Sequence, residues 1–209
     1  MAYETYPLDL PTNVGIVGSN WVLKRAVAVS ASPFSGVQQV QEYDLALWQA
    51  TISLPPMKRA NAAYWQAFYL RLHGRLGTFL MGDPDAKQPR GTLSGGGTLV
   101  TTSEVAVYAH EIPVVSSRLN ETILKAGDYV QLGTGLSAKL HMVVSDATTN
   151  GSGTATLVVE PQIKQVVPIS ESVIFSNPRG LFRMDASELG WDSDHVSRFG
   201  FSFSCTEAL

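Results

Sequence analysis

The chain has 209 residues, 44% of them hydrophobic and 16% charged, with a formal net charge of −3. That is length for one large domain or two small ones with their own cores, and the composition excludes a disordered chain. Residues 1–88 carry a formal +1, residues 89–176 a −2 and residues 177–209 a −2, so no segment has the basic surplus that sequence-driven nucleic-acid binding needs.

The lone cysteine, Cys205, rules out an internal disulfide and a zinc site built from thiolates. The opening MAYETYPLDL has neither the basic end nor the apolar block of a secretion signal, and no run approaches the roughly 18 apolar residues of a membrane span. The expectation is a soluble protein made in a cytoplasm, with no membrane partner.

Strand signals dominate. Residues Trp21 to Ser30 alternate, with Trp21, Leu23, Val27 and Val29 on one face, and a turn follows at Ser32-Pro33-Phe34-Ser35-Gly36. Val37 to Leu54 reads as one long strand or as two with a bend, and the two runs are placed to form an antiparallel hairpin. Pro55-Pro56 closes the second run. Met57 to His73 then reads as the one helix, ended by Gly74, with Met57, Ala60, Tyr64, Ala67, Phe68 and Leu72 on its apolar arc. Arg71 falls near that arc, where it either lays its stem on the apolar surface with its head in water or makes an ion pair to a neighbouring subunit.

Arg75 to Met81 is a short strand, and Gly82-Asp83-Pro84-Asp85 a turn. Gln88 to Gly97, QPRGTLSGGG, reads as a flexible joint where the composition shifts. Beyond it β-branched runs recur at Leu99–Thr102, Val105–Tyr108, Ile112–Val115, Tyr129–Leu132, Leu140–Val144, Thr154–Val159 and Ser172–Phe175, a spacing that suggests a barrel or sandwich. Asn150-Gly151 favours a tight hairpin between the fifth and sixth of them. Finally Val196 to Cys205 places Phe199, Phe201 and Phe203 at period two, which calls for an apolar partner. The helix and first strands are the natural one, so residues 177–209 are expected to complete the domain begun by 1–88, with 89–176 inserted.

The catalytic constellations have cheaper explanations. Ser94 among glycines has no helix after it, so it is not a strand-to-helix nucleophile elbow. Gly15 to Gly18 lacks the lysine and helix of a phosphate loop. Asp192, Asp194 and His195 offer metal ligands close together, but a polar turn explains them as well. His73, His110 and His141 lie far apart, Asp83 and Asp85 suit a turn, Glu104 and Glu111 are a pair any β protein offers, and the glycosylation patterns at Asn120 and Asn150 read as loops. The expectation is a protein without enzymatic activity, cofactor or metal. Trp21, Trp48, Trp65 and Trp191 would suit a sugar-stacking groove, but aromatic residues more often fill cores or subunit contacts. Trp48 and Trp65 are therefore assigned to a core or, with Arg71, to a subunit seam, and Trp191 stays open as a glycan contact.

Ser35 to Pro84 (SGVQQVQEYDLALWQATISLPPMKRANAAYWQAFYLRLHGRLGTFLMGDP), followed in order by LKAGDYVQLG, GTATLVVEPQI and FSNPRGLFRM between Leu124 and Met184, resembles the distal tail proteins of long-tailed bacteriophages. The resemblance covers most of the chain, apart from the first twenty residues and Thr101 to Thr122. It implies a mainly β fold: a tail-tube-like β-sandwich or barrel with one flanking helix, made by 1–88 and 177–209, and an inserted small β-barrel of the OB type, 89–176. It further implies a homo-oligomeric ring, usually a hexamer, assembled in the host cytoplasm into the virion tail. The ring would join the tail tube protein to tail-tip or hub proteins of the baseplate and let DNA pass through its lumen without sequence-specific binding. The chain departs from the family in lacking a long receptor-binding extension. A carbohydrate-binding adhesin module of the tail tip is the alternative.

Overall fold

The computed structural model describes residues 4–188, 190–195 and 197–209. In chain order these form β1 (Leu8–Asp9), β2 (Gly18–Ala31), β3 (Gln38–Ser53), β4 (Met57–Lys58), α1 (Arg59–Leu72), β5 (Phe79–Met81), β6 (Leu99–Thr101), β7 (Glu111–Ser116) and β8 (Thr122–Leu124). There follow β9 (Tyr129–Leu132), β10 (Lys139–Val143), β11 (Ala147–Thr148), β12 (Thr154–Glu160), β13 (Gly180–Met184), β14 (Asp192–Ser193), β15 (Arg198–Gly200) and β16 (Ser202–Glu207). The fold is mainly β with one α-helix among the described residues.

One sheet, in the order β1-β5-β13-β16-β3-β2, curves as a half barrel. Its inner face carries Trp48, Ile52, Phe79, Phe182, Phe203 and Cys205, and α1 lies across it. Phe201 and Phe203 meet that helix as period two demands: Phe201 packs edge-on to Tyr69 with ring centres 5.7 Å apart, and Phe203 lies 6.2 Å from Trp65. Val196, where that run was placed to begin, lies outside the described residues. The opposite face bears Thr51, Ser53, Ser202 and Ser204, all exposed. Outer hydroxyls over an inner aromatic layer are what strict alternation yields in a sheet with one wet side.

The helix differs from expectation at its start and on its buried face. Met57 and Lys58 are extended and pair with Phe199 and Arg198 of β15, a contact across about 140 residues of chain that local periodicity does not report. The buried positions of α1 are Ala62, Trp65, Phe68, Tyr69 and Leu72, roughly one 100° residue step away from the arc through Ala60, Tyr64 and Ala67. The larger aromatic surface of Trp65 and Tyr69 decides the rotation, and Tyr64 is left outside. At the C-terminus His73 and Gly74 both adopt the left-handed conformation, and the His73 N–H donates to Leu70.

A second apolar core lies within residues 93–173, around Leu99, Ile112, Val130, Val143, Leu157 and Val173. Its sheet runs β6-β7-β12-β10-β9. Residues 171–174 join its two outer strands, bonding to Leu99 and Thr101 on one side and to Gln131 on the other. Tyr129 and Leu140 leave this unit to pack in the first core, where Trp48 Nε1 donates to the Leu140 carbonyl at 3.0 Å. The glycine-rich joint is a packed part of this unit, not a free linker. Leu93 is buried, Gly91 sits against the Ile123 carbonyl, and Arg118 donates to the carbonyls of Gly95 and Gly96. Val105–Tyr108 forms only one bridge, Val105 to Val167. The Asn150 turn is present, its side-chain oxygen accepting the N–H groups of Ser152 and Thr154. The strand before it is β11, which pairs with β8, so β10 and β12 meet only at Met142 and Val143.

Gly82 marks a close approach between the end of β5 and the start of β13. A Cβ there would run into the Pro178 carbonyl oxygen, so Gly82→Ala is expected to cost about 1–3 kcal/mol by forcing the backbone apart. Thermal unfolding followed by circular dichroism checks it, and an unchanged midpoint would show that the two segments yield freely.

Candidate functional site

The longest pairing in the molecule is the β2–β3 hairpin, whose register shifts between Arg25 and Ala26: Arg25 faces Ala46, whereas Ala26 faces Tyr43. Asp44 and Leu45 are thus extra residues on β3, a bulge of the kind that increases local twist. Beyond it six residue pairs, Ala26–Ala31 with Tyr43–Gln38, extend roughly 20 Å at about 3.4 Å per residue. The tip closes with the Gly36 N–H donating to Ser32 and the Ser32 N–H donating to Val37. Gly36 takes a positive φ there.

Among the described residues nothing covers the apolar face of this arm. Residues paired across it share a face, which puts Val27, Val29 and Val40 together. Val29 is 58% and Val40 60% exposed, and Phe34 at the tip is 99% exposed. The one charged residue of the arm is Glu42, which faces Val27 at its root and pairs with Arg25, and no Lys, Arg, Asp or Glu lies from Ala26 round the tip to Gln41. A two-stranded ribbon is marginal in water by itself, and an uncharged apolar one is an edge that calls for a partner.

At the opposite edge of the same sheet, the segment after β1 closes a cleft of about 450 Å³ against α1 and the end of β5. Its walls include Leu10, Val14, Ile16, Met81 and Trp65. Trp65 Nε1 is buried without an acceptor among the described residues. On the rim Arg179 pairs with Asp9 at 2.6 Å.

Where the two cores meet, the polar groups are buried. The Glu207 carboxylate accepts the Trp48 N–H at 3.1 Å and pairs with the Lys164 ammonium, while Lys139 Nζ donates to the Ala208 carbonyl at 2.6 Å. Desolvation pushes both lysines below the usual lysine range, and Glu207 draws them partly back. His141 Nδ1 lies 2.7 Å from the Pro161 carbonyl, and burial brings its pKa down to about 4. Nearer solvent, Arg25 bridges Glu42 at 3.2 Å and Glu160 at 2.5 Å, and Gln162 donates to the Asp44 carbonyl in the bulge. The root of the arm is thereby braced against the second unit.

Trp48 and Trp65 are 5% and 1% exposed. Both pack in the first core, and Trp65 also forms part of the cleft wall. Arg71 is engaged within the chain: its guanidinium donates to both carboxylate oxygens of Glu4 at 2.8 Å, and this pairing holds the Glu4 carboxyl below its usual range. Trp191, 39% exposed, lies next to Phe201, so it sits on the first core and not on the 89–176 unit. Among the described residues no three His, Cys, Asp or Glu side chains gather as a metal ion would require. His110 Nδ1 lies 3.2 Å from Glu160, itself engaged by Arg25. Burial pushes the Cys205 thiol up and out of reach of ordinary thiol chemistry.

The chain matches no protein-family model, and no curated protein matches it.

Proposed function

We propose that this protein is a structural virion component, a ring at the distal end of a long phage tail that joins the tail tube to the tip or baseplate and performs no catalysis. The uncovered β2–β3 arm carries the reading. A closed ring of identical subunits needs two different complementary surfaces on each, and an apolar ribbon left exposed by the described residues of its own chain suits one of them. In this reading 1–88 and 177–209 form the tail-tube-like domain, 89–176 an OB-like barrel, and six copies close the ring. The tail tube protein and the tip or hub proteins dock on its two faces.

Two further observations support it. The outer face of the first sheet presents hydroxyls at its centre, Thr51, Ser53, Ser202 and Ser204, with only Lys24 and Arg183 as exposed cations on the same face, so a phosphate backbone meets few ion pairs that would hold it. The net charge of −3 works in the same direction. Electron micrographs of the purified protein are expected to show rings with a central hole. A monomer at every concentration, with no ring in the virion, would sink the proposal.

The half-exposed Trp191 keeps an adhesin reading in play, since an indole face is a platform for a sugar ring. Binding on a glycan array that disappears in Trp191→Ala would favour it, and a blank array removes it.

A further inference from the structure

The arm and the cleft sit at opposite edges of one sheet, because β2 ends the strand order on one side and β1 on the other. We infer that the cleft beside β1 receives the arm of a second copy of this chain, with Phe34 at the tip seated among Leu10, Val14, Ile16 and Met81. The inference rests on the ring reading and deepens it by naming the two halves of the contact.

The chemistry of the two surfaces matches. The arm is uncharged from Ala26 to Gln41, and the ion pair on the cleft rim, Asp9 with Arg179, is neutralised within its own chain. Glu42, beside Val27 at the root of the arm, is already paired with Arg25 of its own chain, so docking of the tip buries no unpaired charge of the arm. Lys87, also on the rim, has a stem long enough to keep its ammonium in water. The size is adequate as well. A cleft of about 450 Å³ falls in the range that holds a compact apolar group. The exposed Val27, Val29, Phe34, Val37 and Val40 with Pro33 offer on the order of 600–800 Å², close to the roughly 800 Å² per partner of a specific interface.

Geometry also gives the contact a direction. The arm leaves one edge and the cleft opens at the other, so copy after copy joins head to tail and the contact closes only by rotation. A two-fold dimer through the same surfaces would exchange arms, each seated in the other copy's cleft, and would stop at two copies, so a covalent product that grows no further than a dimer would overturn the head-to-tail arrangement. The bulge at Asp44–Leu45 and the bonds from Gln162 and Arg25 hold the root of the arm, so less freedom is lost when the tip docks.

The test pairs a cysteine at the tip with one on the cleft. Phe34→Cys with Thr12→Cys, an exposed cleft position, is oxidised mildly and run without reductant. The double variant is expected to give a ladder of covalent multimers. Each single variant gives none, and the buried Cys205 stays silent. Separately, Phe34→Ser, a change at a fully exposed tip that leaves the fold intact, is expected to weaken self-association at least tenfold in sedimentation. Rings that form normally, yield no cross-link and persist in Phe34→Ser would overturn this contact while leaving the ring reading standing. A protein monomeric at all concentrations would overturn both.

Discussion

Glu207→Gln is expected to destabilise the protein by about 3–5 kcal/mol in urea unfolding at neutral pH, the usual cost of leaving one member of a buried ion pair without the other. The amide still accepts the Trp48 N–H, so the loss measures the stranded charge on Lys164, not a broken strand. Lys139 adds to it, because its ammonium lies close enough to feel Glu207 and keeps only the Ala208 carbonyl. Burial already lowers the Lys164 pKa, so the variant can escape by releasing the proton. The unfolded lysine, with a pKa of about 10.4, holds the proton in a window where the folded one has given it up. Folding then releases protons, and stability rises with pH across that window. The deficit of Glu207→Gln is accordingly expected to shrink as the pH is raised toward 10. Adding Lys164→Met removes the stranded charge and is expected to recover at least half of the loss. A single-variant cost below about 1 kcal/mol, or a double variant no better than the single, would show that the pair is solvated in solution.

Much of the strand pattern is legible in the sequence, because alternation is a local property. The runs at Trp21–Ser30, Ile112–Val115, Tyr129–Leu132 and Thr154–Val159 each fall within an observed strand. Among the strands that escape, β1, β8, β11 and β14 are two or three residues long, too short for a period to register, whereas β13 (Gly180–Met184) is buried at four of its five positions and so shows no alternation. Lys58 and Met57 look helical until β15 pairs with them. The limit matters most at the arm. Val27 and Val29 alternate like the residues of a buried strand, and alternation reports that one face is apolar without reporting what covers it. The absence of charge from Ala26 to Gln41 was the available signal that the ribbon leaves its own core and still wants a dry partner. The junction around Glu207 gave no signal at all. Its members lie 43 residues apart for Lys164 and 159 for Trp48, and a glutamate in an alternating strand reads as a solvated side chain.

The same junction should make the protein sensitive to mild acid through His141. Its ring is fully buried in the strand that also carries Lys139, near Lys164, and burial brings its pKa from the ordinary histidine value of about 6.5 down to about 4. Lys139 and Lys164 disfavour a further positive charge, whereas the Pro161 carbonyl mildly favours it. Between those two values the unfolded chain binds a proton that the folded protein refuses, so stability falls as pH drops through the window and is fully present above it. At about 1.4 kcal/mol for each pKa unit the loss comes to about 3 kcal/mol by pH 4. His141→Asn keeps an amide N–H where Nδ1 stands and carries no titratable group. It is expected to flatten the dependence between pH 6.5 and 4.5, above the range where ordinary carboxylates dominate, although the smaller side chain lowers stability at pH 7. Urea midpoints taken across that range in both proteins decide it. Parallel curves would mean that the acid loss comes from other groups and that the imidazole reaches water by local opening of the junction.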